Sequence, residues 1–311
     1  MKNKLFDKFI IFICIFILIE LLIRKDLIYL SIIYALKMWV NKLIPALFPF
    51  FIISDILINY NITEYIPKFI KKMCKDVWKI TDNMLAIFIL SMISGFPSNA
   101  RNTRMMYDMN SIDVDEANHI LMFSHFSNPI FILMTVGIFF FNDKKIGIII
   151  LVVHYLSNFI LGFFLRNRFR HVDKGNCVYY QKRDFGNVFI NAIKRAIDTI
   201  LLICGIVVVF LMLASILNNF LNLGGYNSMM VKGLFEITIG IEALSKLNLA
   251  IRYKIMIASA FLSFGGLSVH MQVMSQITGT DIKYSYFFLG RIWQVIISLI
   301  ISYFICILWH I

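Results

Sequence analysis

The chain has 311 residues, 59% of them hydrophobic, and a formal net charge of +12 at pH 7. Its mean hydropathy of +0.79 excludes a soluble globular protein and predicts a polytopic membrane protein. The basic residues lie in short connectors between apolar segments, where they set membrane topology, so the positive charge does not indicate nucleic-acid binding. The five cysteines are scattered, without CxxC spacing or a histidine at ligand spacing, so neither a metal site nor a cofactor is predicted.

Two apolar segments open the chain. Residues 5–23 follow several lysines and lack a small-residue cleavage site, which predicts an uncleaved first membrane span with its N-terminus in the cytoplasm. Residues 31–59 form a second long apolar segment. The connector that follows, residues 61–83, is polar and basic, and we expect it at the cytoplasmic face.

The next segment is a broken membrane element. Its apolar part, from Met84 to Ile93, is long enough for half a span, and it is interrupted by Gly95 and Pro97. A glycine and a proline at this depth free backbone groups that hydrocarbon cannot satisfy. Such a break persists only where protein or a water-filled cavity covers it. We therefore predict a half-helix that begins after Pro97 and faces a solute site.

A long helix is predicted from Asp113 to about Phe141, with acidic residues in its first turn and a polar centre. The rest of the chain contains, in order, a span at 146–165, a basic cytoplasmic loop at 166–187, a long span at 188–220, a short helix at 229–246, a second broken element at 255–278 and a final span at 285–309. The second broken element is interrupted at Gly265 and Gly266.

The two halves of the chain look like copies displaced by 170 residues. Residues 95–98 fall on residues 265–268, and Asn102 falls on Gln272, while the order of spans and breaks agrees. If the N-terminus is cytoplasmic, the order of the spans predicts that the first broken element enters the membrane from the cytoplasmic side. The second then enters from the outer side. Two broken elements at corresponding positions of an inverted repeat are typical of a solute site at the membrane midplane.

Four stretches carry a family resemblance: Ser94 to Arg101 (SGFPSNAR), Phe123 to Pro129 (FSHFSNP), Phe235 to Gly240 (FEITIG) and Phe264 to Gln272 (FGGLSVHMQ). Together they resemble the YlbJ family, the sporulation integral membrane proteins of endospore-forming Firmicutes, which carry the nucleoside-recognition or Gate domain. The resemblance covers about residues 40–305. It implies a role in late sporulation, including spore cortex formation. The family pattern has Tyr-Pro-x-Gly after the first Ser-Gly, whereas this chain has Phe96 and a Ser-Asn pair after the proline.

The predicted fold is therefore an all-α polytopic membrane protein, built as an inverted repeat with two broken, re-entrant helical elements. We divide it into four regions, which are an N-terminal transmembrane helix (1–28), a first Gate-like repeat (29–145), a linking span with the basic cytoplasmic loop (146–187) and a second Gate-like repeat (188–311).

The candidate substrate-binding residues are the polar and glycine residues at the breaks and at the polar centre of the long helix. They are Gly95, Pro97, Ser98, Asn99, Asn102, His125, Asn128, Glu236, Gly265, Gly266, Ser268 and Gln272. A half-helix start presents unpaired N–H groups and the positive end of a helix dipole, which suits an anionic or carbonyl-rich solute. The alternative is that these side chains only cap the half-helices and pack them together.

Three groups have two open interpretations each. His125 and Asn128, one turn apart in the predicted helix, either handle a ligand or proton or join two helices by a hydrogen bond. Glu236 either binds a cation or amine or caps a helix. Arg101 and Arg104 either hold a phosphate or carboxylate or, as we favour, act as topogenic charges and lipid anchors at the cytoplasmic face.

Two functions are compatible with the sequence. The first is a membrane protein needed for cortex formation that moves a small polar or nucleoside-like solute, and the paired breaks favour it. The second is a non-transporting scaffold that organises cortex-building proteins. Expected partners are membrane lipid, that solute and other sporulation membrane proteins, in the cell membrane or a spore or mother-cell-derived membrane. The motifs HExxH and Ser-x-x-Lys and a phosphate loop are absent, so no catalytic residue is predicted.

Overall fold

A computed structural model describes residues 4–169 and 184–309, which form helices and connectors and contain no strand. The helices are α1 Lys4–Ile23, α2 Lys25–Met38, α3 Ile44–Asn59, α4 Lys68–Trp78, α5 Asp82–Ser94, α6 Ser98–Asp108, α7 Val114–Phe123, α8 Lys144–Leu165, α9 Phe185–Phe220, α10 Gly225–Phe235, α11 Ile237–Lys246, α12 Ile251–Phe264, α13 Gly266–Ile277 and α14 Tyr284–Leu308. A π-helical turn, Trp39–Leu43, joins α2 to α3, and a longer π-helix, Phe131–Phe140, precedes α8. Most of the predicted basic loop at 166–187 lies outside the described residues.

Five helical paths in the described ranges are long and apolar enough to cross a membrane. They are Lys25–Asn59, Lys144–Leu165, Phe185–Phe220, Ile251–Ile277 and Tyr284–Leu308. A sixth is added if α4 and α5, which are bent by 95° at their junction, count as one span. The predicted all-α polytopic fold is thus confirmed, and the chain is an integral membrane protein. Helix α1, which we predicted to be the first span, is not one of the five, because charged residues lie near both of its ends.

The long helix predicted from residue 113 to 141 is wrong in its middle. Helix α7 ends at Phe123, residues 124–128 are not helical, and the π-helix follows. The reason is Pro129, which disfavours helical backbone at the preceding residue and lacks an N–H for the helix ladder. His125 and Asn128 therefore lie on a non-helical segment between two helices, and not one turn apart in the middle of a helix.

The short helix predicted at 229–246 is also two helices. Helix α10 ends at Phe235 and α11 begins at Ile237, with Glu236 between them in extended backbone. The second predicted break is present at Gly265, whose φ of +92° lies in the left-handed region that glycine adopts at little cost. Helices α12 and α13 together still form a 27-residue path long enough to cross a membrane, so this element is an interrupted span.

The predicted duplication is visible in the spacing of the helices. When α5, α6 and the start of α7 are displaced by 170 residues, they fall within two residues of α12, α13 and the start of α14. Gly95 and Gly265, which correspond, both have positive φ, at +78° and +92°. The copies differ at Pro129, which corresponds to Leu299, and α14 accordingly continues without a break to Leu308. The inverted orientation of the copies in the membrane and the four region boundaries remain predictions.

We predict that Gly290 is required for α14 to pack on α7. A methyl group at this position would lie 2.1 Å from the carbonyl oxygen of Met122, a backbone atom that moves only with α7. Gly290→Ala should lower the free energy of unfolding by about 1–3 kcal/mol. Gly205→Ala is the control: a Cβ built on this glycine of α9 would meet no atom of another element within 4 Å, so the alanine should be neutral or stabilise the helix by about 0.5–1 kcal/mol. Unfolding of both variants in detergent measures the difference, and equal midpoints would contradict the contact.

The predicted orientation is tested by labelling single cysteines in a variant that lacks the native ones. Helix α9 has 36 residues, enough to place its two ends on opposite faces of a membrane. Asn187 and Asn227 are exposed on either side of this span. In intact cells, a membrane-impermeant maleimide should label Asn227→Cys and leave Asn187→Cys unlabelled until the cells are opened. The reverse pattern would overturn the predicted topology.

Candidate functional site

The helix breaks meet at one place in the protein interior. A Cβ built on Gly95 would lie 2.5 Å from the backbone nitrogen of Asn128, and one on Gly265 would lie 3.3 Å from Nε2 of His125. Gly266 packs equally closely on the junction of α10 and α11. We call the place where these breaks meet the break centre, and it comprises residues 94–99, 102, 124–129, 236 and 265–268. The sequence predicted two of its four breaks.

Asn128 holds two helix ends together at the break centre. Its side-chain nitrogen donates to the carbonyl oxygens of Ala46, at 3.0 Å, and Ser94, at 3.4 Å, the latter being the last residue of α5. Its side-chain oxygen accepts from the backbone N–H groups of Ile130, at 2.8 Å, and Phe131, at 3.3 Å. Asn128 thus satisfies carbonyls at one break and N–H groups at another, which corresponds to the helix-joining interpretation of this residue.

Glu236 caps the start of α11. One carboxylate oxygen accepts from the backbone N–H groups of Thr238, at 2.8 Å, and Ile239, at 3.1 Å, and only 4% of the residue is exposed. The carboxyl group therefore lies at the positive end of a helix, and no ion pair to Glu236 occurs within the described ranges. The capping interpretation is the one that this geometry supports.

Arg291 is a buried residue of the site that the sequence analysis did not select. Its guanidinium is fully buried and donates to the carbonyl oxygens of Met122, at 2.8 Å, and Ser263, at 3.5 Å. These carbonyls belong to the last turns of α7 and α12, the negative ends of two interrupted helices. Within the described residues no carboxylate pairs with Arg291. The sequence did contain a signal for Arg291, because it is the lone charged residue of α14. A charged residue inside a membrane span marks a functional position.

A polar face of α8 supports the non-helical segment, and the sequence analysis did not select it either. Nε2 of His154 accepts the backbone N–H of Ser127 at 2.9 Å, and the amide of Asn158 donates to the carbonyl of His125 at 3.0 Å. Gln294 of α14 approaches the other ring nitrogen of His154 at 3.5 Å. His154 and Asn158 are four residues apart and share a helix face, a spacing that the sequence displays in an otherwise apolar span.

The imidazole of His125 lies between aromatic rings. It stacks on Phe96, with ring centroids 4.9 Å apart and planes inclined by 10°, and meets the edge of Phe287 at 5.1 Å. Neither ring nitrogen has a hydrogen-bond partner among the described residues. Phe96 is joined by a cis peptide bond to Pro97, which immediately precedes α6. The ring is therefore held by packing, and its polar atoms remain available.

The predicted residues at the two half-helix starts are buried, and α6 packs against α13. The amide of Asn102 donates to the hydroxyl of Ser98 at 3.4 Å. The side-chain oxygen and nitrogen of Asn99 have no hydrogen-bond partner in the described part of the chain, and the hydroxyl of Ser268 has none there either. The break centre thus contains several uncharged polar groups that the protein itself leaves unsatisfied.

A small cavity lies against the break centre. It encloses about 40 Å³, and its walls include Phe96, Asn128, Glu236, Val269 and Gln272. Three of the predicted site residues therefore border one cavity. This volume holds one or a few water molecules and is far smaller than the several hundred Å³ typical of a small-molecule site.

Arg101 and Arg104 do not act as the pair that the sequence suggested. Arg101 is 6% exposed, and its Nη1 lies 2.6 Å from the carboxylate of Asp55, so the favoured assignment to a topogenic surface charge is wrong for it. Arg195 of α9 binds the other oxygen of the same carboxylate at 2.7 Å. Arg104 pairs with Asp108 at 2.7 Å nearer the surface.

Comparison with known proteins identifies a relative. The chain is similar to the sporulation integral membrane protein YlbJ of Bacillus subtilis (strain 168). The two are 26% identical over 316 residues, which cover 88% of this chain and 76% of that protein. The predicted YlbJ-type resemblance is confirmed. No family model matches the chain, and no solved structure matches it.

The alignment covers most of the chain, so the similarity concerns the whole helical bundle and not a single motif. The relative is named as an integral membrane protein, in agreement with the apolar helices of this chain. The substrate-binding role of the twelve residues selected from the sequence remains a prediction.

We predict that Arg291 stabilises the bundle by joining two helix ends. Arg291→Lys keeps the charge but loses the planar group that reaches both carbonyls. It should lower the free energy of unfolding by about 2–5 kcal/mol, since a hydrogen bond from a charged group contributes about 1.5–3 kcal/mol. Arg252→Gln, at an exposed position of α12, is the control and should change stability by less than about 0.5 kcal/mol. Denaturant unfolding in detergent measures both, and an unchanged midpoint for Arg291→Lys would exclude this role.

Proposed function

We propose that this protein acts during sporulation, in formation of the spore cortex, by moving a small polar solute across a spore or mother-cell-derived membrane. The similarity to a sporulation integral membrane protein supports the process. The observation that supports solute movement is the break centre, where four helix breaks meet around polar side chains without protein partners.

The energetic argument concerns those unpartnered groups. Asn99, Asn102, His125 and Ser268 are each at most 1% exposed, and each has at least one polar atom without a partner among the described residues. A buried polar group left unsatisfied costs about 1–3 kcal/mol. A membrane bundle retains several such groups where they serve a ligand, because apolar side chains at the same positions would be more stable.

The conformation described here is closed. A cavity of about 40 Å³ does not hold a solute of the size of a sugar or nucleoside, so binding requires the half-helices to move apart. Gly95 and Gly265 are suited to such movement, because each has a positive φ, which glycine adopts at little cost, at a helix end. Movement about these two positions would open the cavity toward alternate faces of the membrane.

The process is tested by deletion in the organism that encodes the protein. Vegetative growth should be normal, whereas spores should be heat-sensitive and show a thin or absent cortex by electron microscopy. Heat-resistant spores with a normal cortex would remove the sporulation role. Reintroduction of the unaltered gene must restore resistance, which ties the defect to this chain.

Solute movement is tested by variants in the same strain. Gln272→Leu replaces a polar wall of the cavity by an apolar side chain of similar size and should abolish heat resistance without lowering the amount of protein in the membrane. Met271→Leu, on the exposed face of the same helix, is the control and should keep full function. A scaffold uses the outer surface and not this cavity. Full heat resistance with Gln272→Leu would therefore favour the scaffold.

A further inference from the structure

A second cavity lies between α3, α6 and α9, apart from the break centre. It is an open cleft of about 560 Å³, large enough for a small molecule. The residues that line it include Asp55 from α3, Arg101 from α6 and Arg195 from α9. None of the residues lining this cleft borders the cavity at the break centre.

One buried carboxylate at this cleft is shared by two arginines. Asp55 is fully buried, accepts a hydrogen bond from Nε of Arg195 at 2.7 Å and forms an ion pair with Nη1 of Arg101 at 2.6 Å. The three groups together carry a charge of about +1, because both arginines stay protonated at neutral pH while sharing one carboxylate. A surplus cation next to a cleft of this size is a feature that recognises anions.

The two arginines have donors to spare. A guanidinium has five N–H donors in a planar fork. Arg101 donates through Nε to the hydroxyl of Thr199 and through Nη1 to the carbonyl of Phe51, both at 3.2 Å, and Nη1 also forms the ion pair with Asp55. Its Nη2 has no partner in the described ranges although it is buried. Arg195 is bonded through Nε, and its side chain is 46% exposed along the cleft.

The other charges of the cleft lie at its rim. Arg104 is paired with Asp108 within one helix, and both are partly or fully exposed. Asp198 is exposed on α9, three residues beyond Arg195, and opposes an anion. Exposed charges are hydrated and screened by salt, so these three residues affect binding less than the buried guanidinium of Arg101 does.

We propose that this cleft binds a small anion that carries a phosphate or carboxylate group. Its oxygens accept from Nη2 of Arg101 and from the terminal nitrogens of Arg195, the geometry in which arginine binds such groups in pairs of hydrogen bonds. Asp55 is bound to the same arginines and therefore competes with the anion for them. The anion is either a free solute or the headgroup of an anionic lipid, and the site does not depend on solute movement through the break centre.

The test is equilibrium binding of inorganic phosphate, and separately of acetate, to the purified full chain in neutral detergent at constant ionic strength. Binding of at least one anion should be saturable. Arg195→Gln should weaken it by about tenfold or more, because it removes hydrogen bonds from a charged group. Arg104→Gln, at the rim of the same cleft, is the matched control and should change affinity less than about twofold.

Two further variants should bind the anion more tightly than the unaltered chain. Asp55→Asn removes the competitor and should tighten binding by about tenfold. Because Asp55 is buried and this variant can fail to fold, Asp198→Asn serves beside it: it removes an exposed opposing charge and should tighten binding by about twofold. Absence of saturable binding of both anions, or equal affinity in the unaltered chain and Arg195→Gln, would overturn the proposal, as would weaker binding in Asp198→Asn.

The source of the anion is distinguished in nanodiscs. If the site takes a lipid headgroup, phosphate should bind at least about tenfold more weakly in discs of phosphatidylglycerol than in discs of phosphatidylcholine, because the anionic lipid occupies the cleft. If it takes a free solute, the affinities in the two lipids should agree within about twofold. Both results support an anion site, and each assigns its source.

Discussion

The ends of interrupted helices are the constraint on which this structure depends. A helix that stops inside a membrane exposes up to four carbonyls or N–H groups and about half a unit of charge, with no water from the bilayer to satisfy them. Here a side chain meets each kind of end. Arg291 donates to carbonyls at the ends of α7 and α12, Glu236 accepts from the first N–H groups of α11, and Asn128 bonds one end of each kind. Glu236 and Arg291 are therefore matched to helix ends and not to each other.

This arrangement decides which groups at the break centre are free. Glu236 accepts from backbone N–H groups and Arg291 donates to backbone carbonyls, although Nε of Arg291 has no partner among the described residues. The other unpartnered polar atoms at the break centre belong to the uncharged side chains of Asn99, Asn102, Ser124, His125, Ser127 and Ser268. They donate and accept hydrogen bonds without net charge, which is why the proposed solute is polar and not ionic. Charge recognition is separated from them in space, at the cleft where Asp55 is shared by two arginines.

The sequence predicts a break well where the cause is local. Gly95, Pro97 and Gly265 interrupt apolar segments, and each stands at a helix end in the structure. The sequence does not predict a break that is caused by tertiary packing. Glu236 is compatible with a continuous helix, and its position as a cap shows only when the helices are packed. Pro129 was a local signal for a break, but we predicted a helix that continued through it. Asp55 and Arg195 lie far from Arg101 in sequence, so their shared ion pair follows from the packing of α3, α6 and α9 and from no spacing along the chain.

The two copies of the repeat have diverged in a way that makes each depend on the other. In the first copy Pro129 ends the helix and releases residues 124–128, which bring His125 and Asn128 into the break centre. In the second copy Leu299 stands at that position, and α14 remains a continuous helix. Leu121 of the first copy corresponds to Arg291 of the second, and it is this arginine that binds the carbonyl of Met122. The break of one copy is thus stabilised by the unbroken helix of the other. A symmetric repeat with two prolines would leave both broken ends without that support, and one with none would lack the non-helical segment that places His125 against Gly265.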